Sequence, residues 1–283
     1  MISTAPQTLK GQVALITGAN TGIGRITARE LARQGARVFI AARSAERTQP
    51  VLDEIRAIPG AGPVEWLPLD LADLASVRRC ADEFLALDVP LHFLVNNAGL
   101  AGARGLTTSG FELAFGVNHI GHFLLTQLLL DRLKRTAPAR IVTVASQAHY
   151  RAKGIDWQAV RQSTRARTGV PEYCVAKLAN VLFSAELARR LVGTGVTTYA
   201  LHPGVVASDV WRELPRPIRA VVKLFMLTVE QGAATTLHCA TAPELAEQTG
   251  AYYDSRRIKT PSALGRDLAL AAELWRRSEA WVA

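Results

Sequence analysis

One stretch near the N-terminus limits what this chain can fold into. Gln12-Val-Ala-Leu-Ile-Thr17 is a short, nearly continuous apolar run that stops at Gly18. That is the pattern of a strand buried on both faces of a parallel sheet. Thr17-Gly18-Ala19-Asn20-Thr21-Gly22-Ile23-Gly24 then leads into Arg25 to Gln34, whose apolar positions Ile26, Leu31 and Ala32 suit a helix. A strand, a glycine-rich turn and a helix N-terminus form a phosphate site, because glycines let the backbone approach an anion that the helix amides and dipole then meet. The spacing is Gly-x-x-x-Gly-x-Gly rather than Gly-x-Gly-x-x-Gly. A tight turn with close helix packing would also call for these glycines, so the rest of the chain has to decide.

The rest repeats the alternation. Gly35 closes the helix and Ala36 to Ala42 reads as a second strand, ending at Arg43 with Arg47 one helical turn further. At that place a carboxylate would hold ribose hydroxyls, whereas a guanidinium can hold a 2′-phosphate through paired hydrogen bonds. The position favours NADP over NAD. Ala45 to Ala57 is helical, Val64 to Leu69 a strand ending at Asp70-Leu71, Leu74 to Leu87 a helix, and Leu91 to Val95 a strand ending in Asn96-Asn97-Ala98-Gly99. Such an order predicts an α/β chain with a single-domain Rossmann-like doubly wound parallel sheet, about seven strands with helices on both faces. Strand ends then share the carboxyl edge of the sheet, where ligands bind, so Asp70 and Asn97 are candidate cofactor contacts.

Phe111 to Arg135 is a long helix with Phe111, Phe115, His119, Phe123 and Leu130 on one face and Asn118 inside it. Arg140 to Ala145 is a strand that brings Ser146 to the same edge, and the irregular Gln147 to Pro171 suits a site wall. In Tyr173-Cys174-Val175-Ala176-Lys177 the phenol and the ammonium share a helix face, and the cation favours the phenolate. Val196 to Leu201 is a strand, followed by His202-Pro203-Gly204-Val205-Val206-Ala207-Ser208. Asp209 to Val229 is apolar and punctuated by arginines, which suits a substrate lid near 207–229, contact with a membrane surface, or core packing. Gln231 to Ala240 and Gly265 to Trp281 are helical, and Ala251-Tyr252-Tyr253 is an edge strand. A length of 283 residues fits one domain over 11–283, with 1–10 as a loose tail.

The net charge of +9 would attract anions, but the arginines are scattered and lack the aromatic interleaving of a nucleic-acid surface. Three widely spaced cysteines argue against a disulfide framework and fit a reducing cytoplasm. His119 and His122 share a helix face, yet nothing completes a metal site. No uninterrupted apolar run is long enough to span a bilayer and no signal peptide is evident, so a cytoplasmic protein is expected.

Jointly the glycine-rich turn, Asn96-Asn97-Ala98-Gly99, Ser146, Tyr173-x-x-x-Lys177 and Pro203-Gly204 make the chain resemble the short-chain dehydrogenase/reductase family along nearly its whole length. Gly116-Val-Asn-His-Ile-Gly-His-Phe123, Tyr173 to Asn180 and Gly250-Ala-Tyr-Tyr253 are most similar to its retinol dehydrogenase-like branch. The resemblance implies a catalytic group of Asn118, Ser146, Tyr173 and Lys177. Ser146 would bond the substrate oxygen, Tyr173 would exchange a proton with it, Lys177 would hold the nicotinamide ribose and depress the Tyr173 pKa, and Asn118 would order a water. It also implies a cofactor set of Gly18, Asn20, Thr21, Gly22, Ile23, Gly24, Arg43, Asp70, Leu71, Asn97, Ala98, Gly99, Tyr173, Lys177, Pro203, Gly204, Val206 and Ser208. The expected activity is hydride transfer between NADP and a small lipophilic alcohol, aldehyde or ketone. Steroids, quinones and polycyclic ketones, or a nucleotide sensor without turnover, are the alternatives. The resemblance further implies a homo-oligomer through the Phe111 and Tyr173 helices.

Overall fold

The apolar runs fold as strands β1 (Val13–Thr17), β2 (Arg37–Ala42), β3 (Val64–Pro68), β4 (Phe93–Asn96), β5 (Ala139–Val144), β6 (Val196–His202) and β7 (Tyr252–Asp254). The structure, a computed structural model, describes residues 8–204 and 228–283. The helices are α1 (Gly22–Arg33), α2 (Ala45–Arg56), α3 (Leu74–Ala86), α4 (Leu113–Thr136), α5 (Val170–Arg190), α6 (Val229–Thr241) and α7 (Leu268–Val282). The region expected to form a lid, 207–229, lies outside the described residues except for its last two positions.

Strand order is β3-β2-β1-β4-β5-β6-β7, all parallel, with β1 in register with β2 (Val13 opposite Arg37) and with β4 (Ala14 opposite Phe93). Winding reverses between β1 and β4, which opens a crevice at their carboxyl ends, beside Thr17 and Asn96. The expected seven strands are joined by an eighth, β8 (Arg257–Ile258), antiparallel to β7. Tyr252 and Tyr253 are therefore covered rather than at the edge, and both are buried.

Period-two alternation distributes the core. Leu15, Phe39 and Leu94 face α3, α4 and α5, while Ala14, Ile16, Val38 and Ile40 face α1, α2 and α6. The C-terminal α7 lies over α4 and α5: Trp275 stacks on Phe183 at 5.9 Å, and Trp281 meets Phe111 and Phe115 edge-on. The sides of α4 and α5 that carry Phe115, Phe123 and Phe183 are thus covered by this chain's own α7. Residues 8–10, assigned by sequence to the tail, are packed against α1, since Leu9 is buried and its amide donates to the Gln34 carbonyl at 2.9 Å.

Helix α4 departs from the uninterrupted helix expected from Phe111. It starts at Leu113, because the Glu112 carboxylate accepts the Phe115 amide as an N-cap. Gly116 to Ile120 then form a π turn closed by the Gly121 amide on the Gly116 carbonyl. A Cβ at Gly121 would stand 2.6 Å from the Leu71 carbonyl oxygen, so only glycine lets α4 pass this close to the end of the Asp70-Leu71 turn. Among the described residues α4 is the one helix long and apolar enough to cross a bilayer, but it is largely buried in the fold and is its central core helix.

Candidate active site

The crevice is a cleft of about 810 Å³ at the carboxyl edge of the sheet. That size suits a small-molecule or cofactor site. Of the predicted residues, Gly18, Asn20, Thr21, Gly22, Ile23, Gly24, Arg43, Asp70, Leu71, Asn97, Ala98, Gly99, Asn118, Ser146, Tyr173, Lys177, Pro203 and Gly204 all line it. Val206 and Ser208 lie outside the described residues. The cleft also takes in Arg47, the guanidinium one turn beyond Arg43, and Val117, Gln147, Arg151 and His202, whose motifs or neighbours are visible in the sequence but which carry no individual role there.

At one end the glycines do what an anion cradle requires. Gly18 has φ +65, and an added Cβ would stand 2.8 Å from the Ala98 Cβ; at Gly24 it would stand 2.5 Å from Asn97 Nδ2. Backbone therefore passes where no side chain fits, and the first turn of α1 holds no carboxylate to repel a phosphate. These residues fit a dinucleotide. Thr17 ties this turn to the next strand end, since its hydroxyl accepts the Asn97 and Ala98 amides at 3.0 and 2.9 Å and the Asn97 side chain donates to the Thr17 carbonyl at 2.8 Å. Asp70 Oδ1 accepts the Ala72 amide, which shapes the turn after β3. Arg43 is exposed at the end of β2, on the wall of the same cleft.

At the other end Asn118, Ser146, Tyr173 and Lys177 converge. The π turn carries Asn118 inward, where its side-chain amide donates to the Leu100 and Ala114 carbonyls at 3.0 and 2.7 Å and its Oδ1 accepts the Leu100 amide at 3.2 Å. A mid-helix asparagine is thereby satisfied, and it fixes the strand end after β4. Gly99 runs between two of these groups: a Cβ there would lie 2.5 Å from Asn118 Oδ1 and 3.4 Å from Lys177 Nζ. Lys177 is buried and donates to the Val144 carbonyl at 2.7 Å. Burial without a carboxylate partner holds its pKa down at about 7.

Ser146 follows β5 in an extended conformation, and its Oγ accepts the Ala148 amide at 3.1 Å. Its own proton is left for another acceptor, and the Tyr173 phenol lines the same cleft, where Ser146 favours its phenolate. Tyr173 sits near the start of α5, with Lys177 Nζ 5.6 Å from its ring centre. The expected depression of the Tyr173 pKa needs correction for the chain alone. Burial raises it, the Ser146 hydrogen bond opposes that, and Lys177 is not a principal influence because its ammonium is itself disfavoured.

The two helix histidines considered as metal ligands are engaged elsewhere. His119 Nε2 pairs with Ser278 Oγ at 3.0 Å, and His122 lies between Thr17 Oγ1 at 2.8 Å and the Asn118 carbonyl at 3.0 Å. No cluster of three or more metal-ligating side chains occurs among the described residues.

Comparison with known proteins agrees with this geometry. Residues 12–218 match the family model for short chain dehydrogenases. Human retinol dehydrogenase 12 is 47% identical over 270 residues, which cover 94% of this chain and 85% of that protein. Human retinol dehydrogenase 13 is 40% identical over 280 residues, covering 96% and 84%. A solved structure of a protein of unassigned function from Mycobacterium paratuberculosis superimposes with a TM-score of 0.77 at 34% identity, over 99% of this chain and 98% of the other. The Pseudomonas aeruginosa RhlG/NADP active-site complex does so at 0.69 and 29% identity, over 87% and 95%. With the family model covering most of its length and the expected strand-end residues gathered on one cleft, the chain belongs to the short-chain dehydrogenase/reductase family of oxidoreductases, on its retinol dehydrogenase-like side.

Proposed function

We propose that the protein is an NADP-dependent oxidoreductase acting on a lipophilic alcohol, aldehyde or ketone, with Asn118, Ser146, Tyr173 and Lys177 as its catalytic group. The observation that carries the reading is that Asn118, Ser146, Tyr173 and buried Lys177 line one cleft, with Lys177 Nζ 5.6 Å from the Tyr173 ring centre. When bound, the nicotinamide supplies or accepts the hydride. The chain's own residues handle the oxygen and its proton. In reduction Tyr173 gives its phenolic proton to the substrate oxygen, and Ser146 donates a hydrogen bond to that same atom as negative charge grows on it. Because Ser146 Oγ already accepts from Ala148, its proton is directed outward. Lys177, once charged beside bound cofactor, favours the phenolate left behind.

Specificity for NADP rests on Arg43, with Arg47 one turn on, where a guanidinium can meet a 2′-phosphate. A lipophilic substrate is supported by the apolar part of the wall, Leu100, Ala101, Leu113 and Val117, and by the similarity to proteins named retinol dehydrogenases. A cytoplasmic location belongs to the same proposal. The test is turnover of a panel of long-chain aldehydes and alcohols with NADPH and NADP, repeated with NADH and NAD. Activity that Tyr173→Phe abolishes supports the reading, and tight NADPH binding without any turnover overturns it.

A further inference from the structure

The turn at Ser146 is supported from two sides. The peptide unit that joins Ser146 to Gln147 is held at both of its polar ends by an imidazole. On one side the Ser146 carbonyl oxygen lies 2.7 Å from His149 Nδ1, and on the other the Gln147 amide donates to His202 Nδ1 at 3.3 Å. The two histidines come from different places, one on the turn after β5 and the other at the end of β6.

Hydrogen-bond counting fixes both tautomers. His149 Nε2 accepts the Ser262 amide at 3.1 Å, so that nitrogen carries no proton and Nδ1–H donates to the Ser146 carbonyl. His202 Nδ1 accepts the Gln147 amide, so its proton is on Nε2. Both rings must be neutral for this arrangement, because an imidazolium would turn an amide N–H towards another N–H. His149 is fully buried and His202 nearly so, which disfavours the charged form of each.

The clamp reaches beyond the two rings. The Gln147 side chain donates to Asp254 at 2.9 Å, Asp254 accepts Lys259 at 2.8 Å, and the Tyr150 phenol donates to the Thr260 carbonyl at 2.5 Å. Segment 254–262, far from Ser146 in sequence, thus frames the serine turn through Asp254, Thr260 and Ser262.

We propose that His149 and His202 are positioning residues that lock the Ser146–Gln147 peptide plane and so aim the Ser146 hydroxyl at the reacting oxygen. The proposal rests on the role given to Ser146 above. Turning this plane carries the Ala148 amide away from Ser146 Oγ and so releases the rotamer that aims the hydroxyl, and a displacement of about 1 Å in such a site costs on the order of 100-fold in rate.

Two measurements test it. The first is independent of activity: imidazole 15N spectra of the histidine-labelled wild type near neutral pH should show His149 as the Nδ1–H tautomer and His202 as the Nε2–H tautomer. The reverse tautomer, or an imidazolium, at either position overturns the clamp. The second separates positioning from mere packing. His149→Leu should lower kcat by about 10- to 100-fold with cofactor affinity unchanged. His149→Asn, which can still donate to the Ser146 carbonyl, should recover most of that loss, whereas His149→Gln should not. Likewise His202→Asn, with an acceptor in the place of Nδ1, should exceed His202→Leu. Equal activities within each series, or parallel loss of cofactor affinity in the His149 variants, would also overturn it. A wild type that turns nothing over sinks the oxidoreductase reading instead, and the tautomers still decide the clamp.

Discussion

Lys177 donates to the Val144 carbonyl at 2.7 Å from a buried position, and no carboxylate accompanies it there. Its pKa falls from 10.5 in the open chain to about 7 in the fold. The unfolded chain therefore holds this proton over a range in which the folded chain has released it, and stability rises with pH between those two values. Below about 7 the full cost of burying the charge remains. Lys177→Met should accordingly be more stable than wild type near pH 6, by about 1–3 kcal/mol, while losing turnover. The gap should narrow as the pH rises. Denaturant unfolding of both proteins across that range checks this, and a variant less stable at every pH would refute it.

Gly99→Ala places a methyl 2.5 Å from Asn118 Oδ1 and 3.4 Å from Lys177 Nζ. Asn118 cannot easily give way, because its side chain is bonded on both atoms to Leu100 and Ala114. The expected cost is about 1–3 kcal/mol of stability, the usual range for overpacking. A fall in kcat of at least about 100-fold should accompany it, since both groups are displaced from the reacting end. Thermal unfolding and steady-state kinetics together test this, and a variant with wild-type turnover would show that the Asn118–Lys177 spacing is not critical.

Arg43→Asp should invert cofactor choice. A carboxylate at the end of β2 repels a 2′-phosphate and suits free ribose hydroxyls. Loss of charge-assisted hydrogen bonds worth about 1.5–3 kcal/mol predicts a fall of roughly 10- to 100-fold in kcat/KM with NADPH, with NADH gaining. Parallel titrations of the two cofactors measure it. An unchanged ratio would mean that Arg43 does not meet the ribose.

Much of this fold was legible because parallel strands buried on both faces appear as short apolar runs, and their ends announce themselves as Gly18, Arg43, Asp70, Asn97 and Ser146. What stayed hidden has physical causes. Strand β8 is two exposed residues, preceded by Ser255 and Arg256 at positive φ, and carries no apolar period. The π turn at Gly116 to Ile120 shifts the helix by one residue without changing its composition, so the pattern of Phe111, Phe115, His119 and Phe123 does not reveal it. His202 was visible only as the residue before Pro203. Its bond to Gln147 depends on two strand ends meeting, which nothing local encodes.

The docking of α7 was equally invisible, since the sequence shows only a terminal helix from Gly265 to Trp281. In the structure Trp275 stacks on Phe183 at 5.9 Å, meets Phe123 edge-on at 5.1 Å and carries the Arg190 guanidinium 4.3 Å above its ring. Truncation to alanine should cost about 3–5 kcal/mol, the range for a buried tryptophan. It should also uncover Phe123 and Phe183, an apolar surface that a second copy could then cover. Trp275→Ala is therefore expected to melt at lower temperature and to associate in a concentration-dependent way in sedimentation, on a face that wild type keeps closed. If the variant melts like wild type, α7 is not the element that seals α4 and α5. If it melts early yet stays in the wild-type association state, the uncovered face does not recruit a second copy.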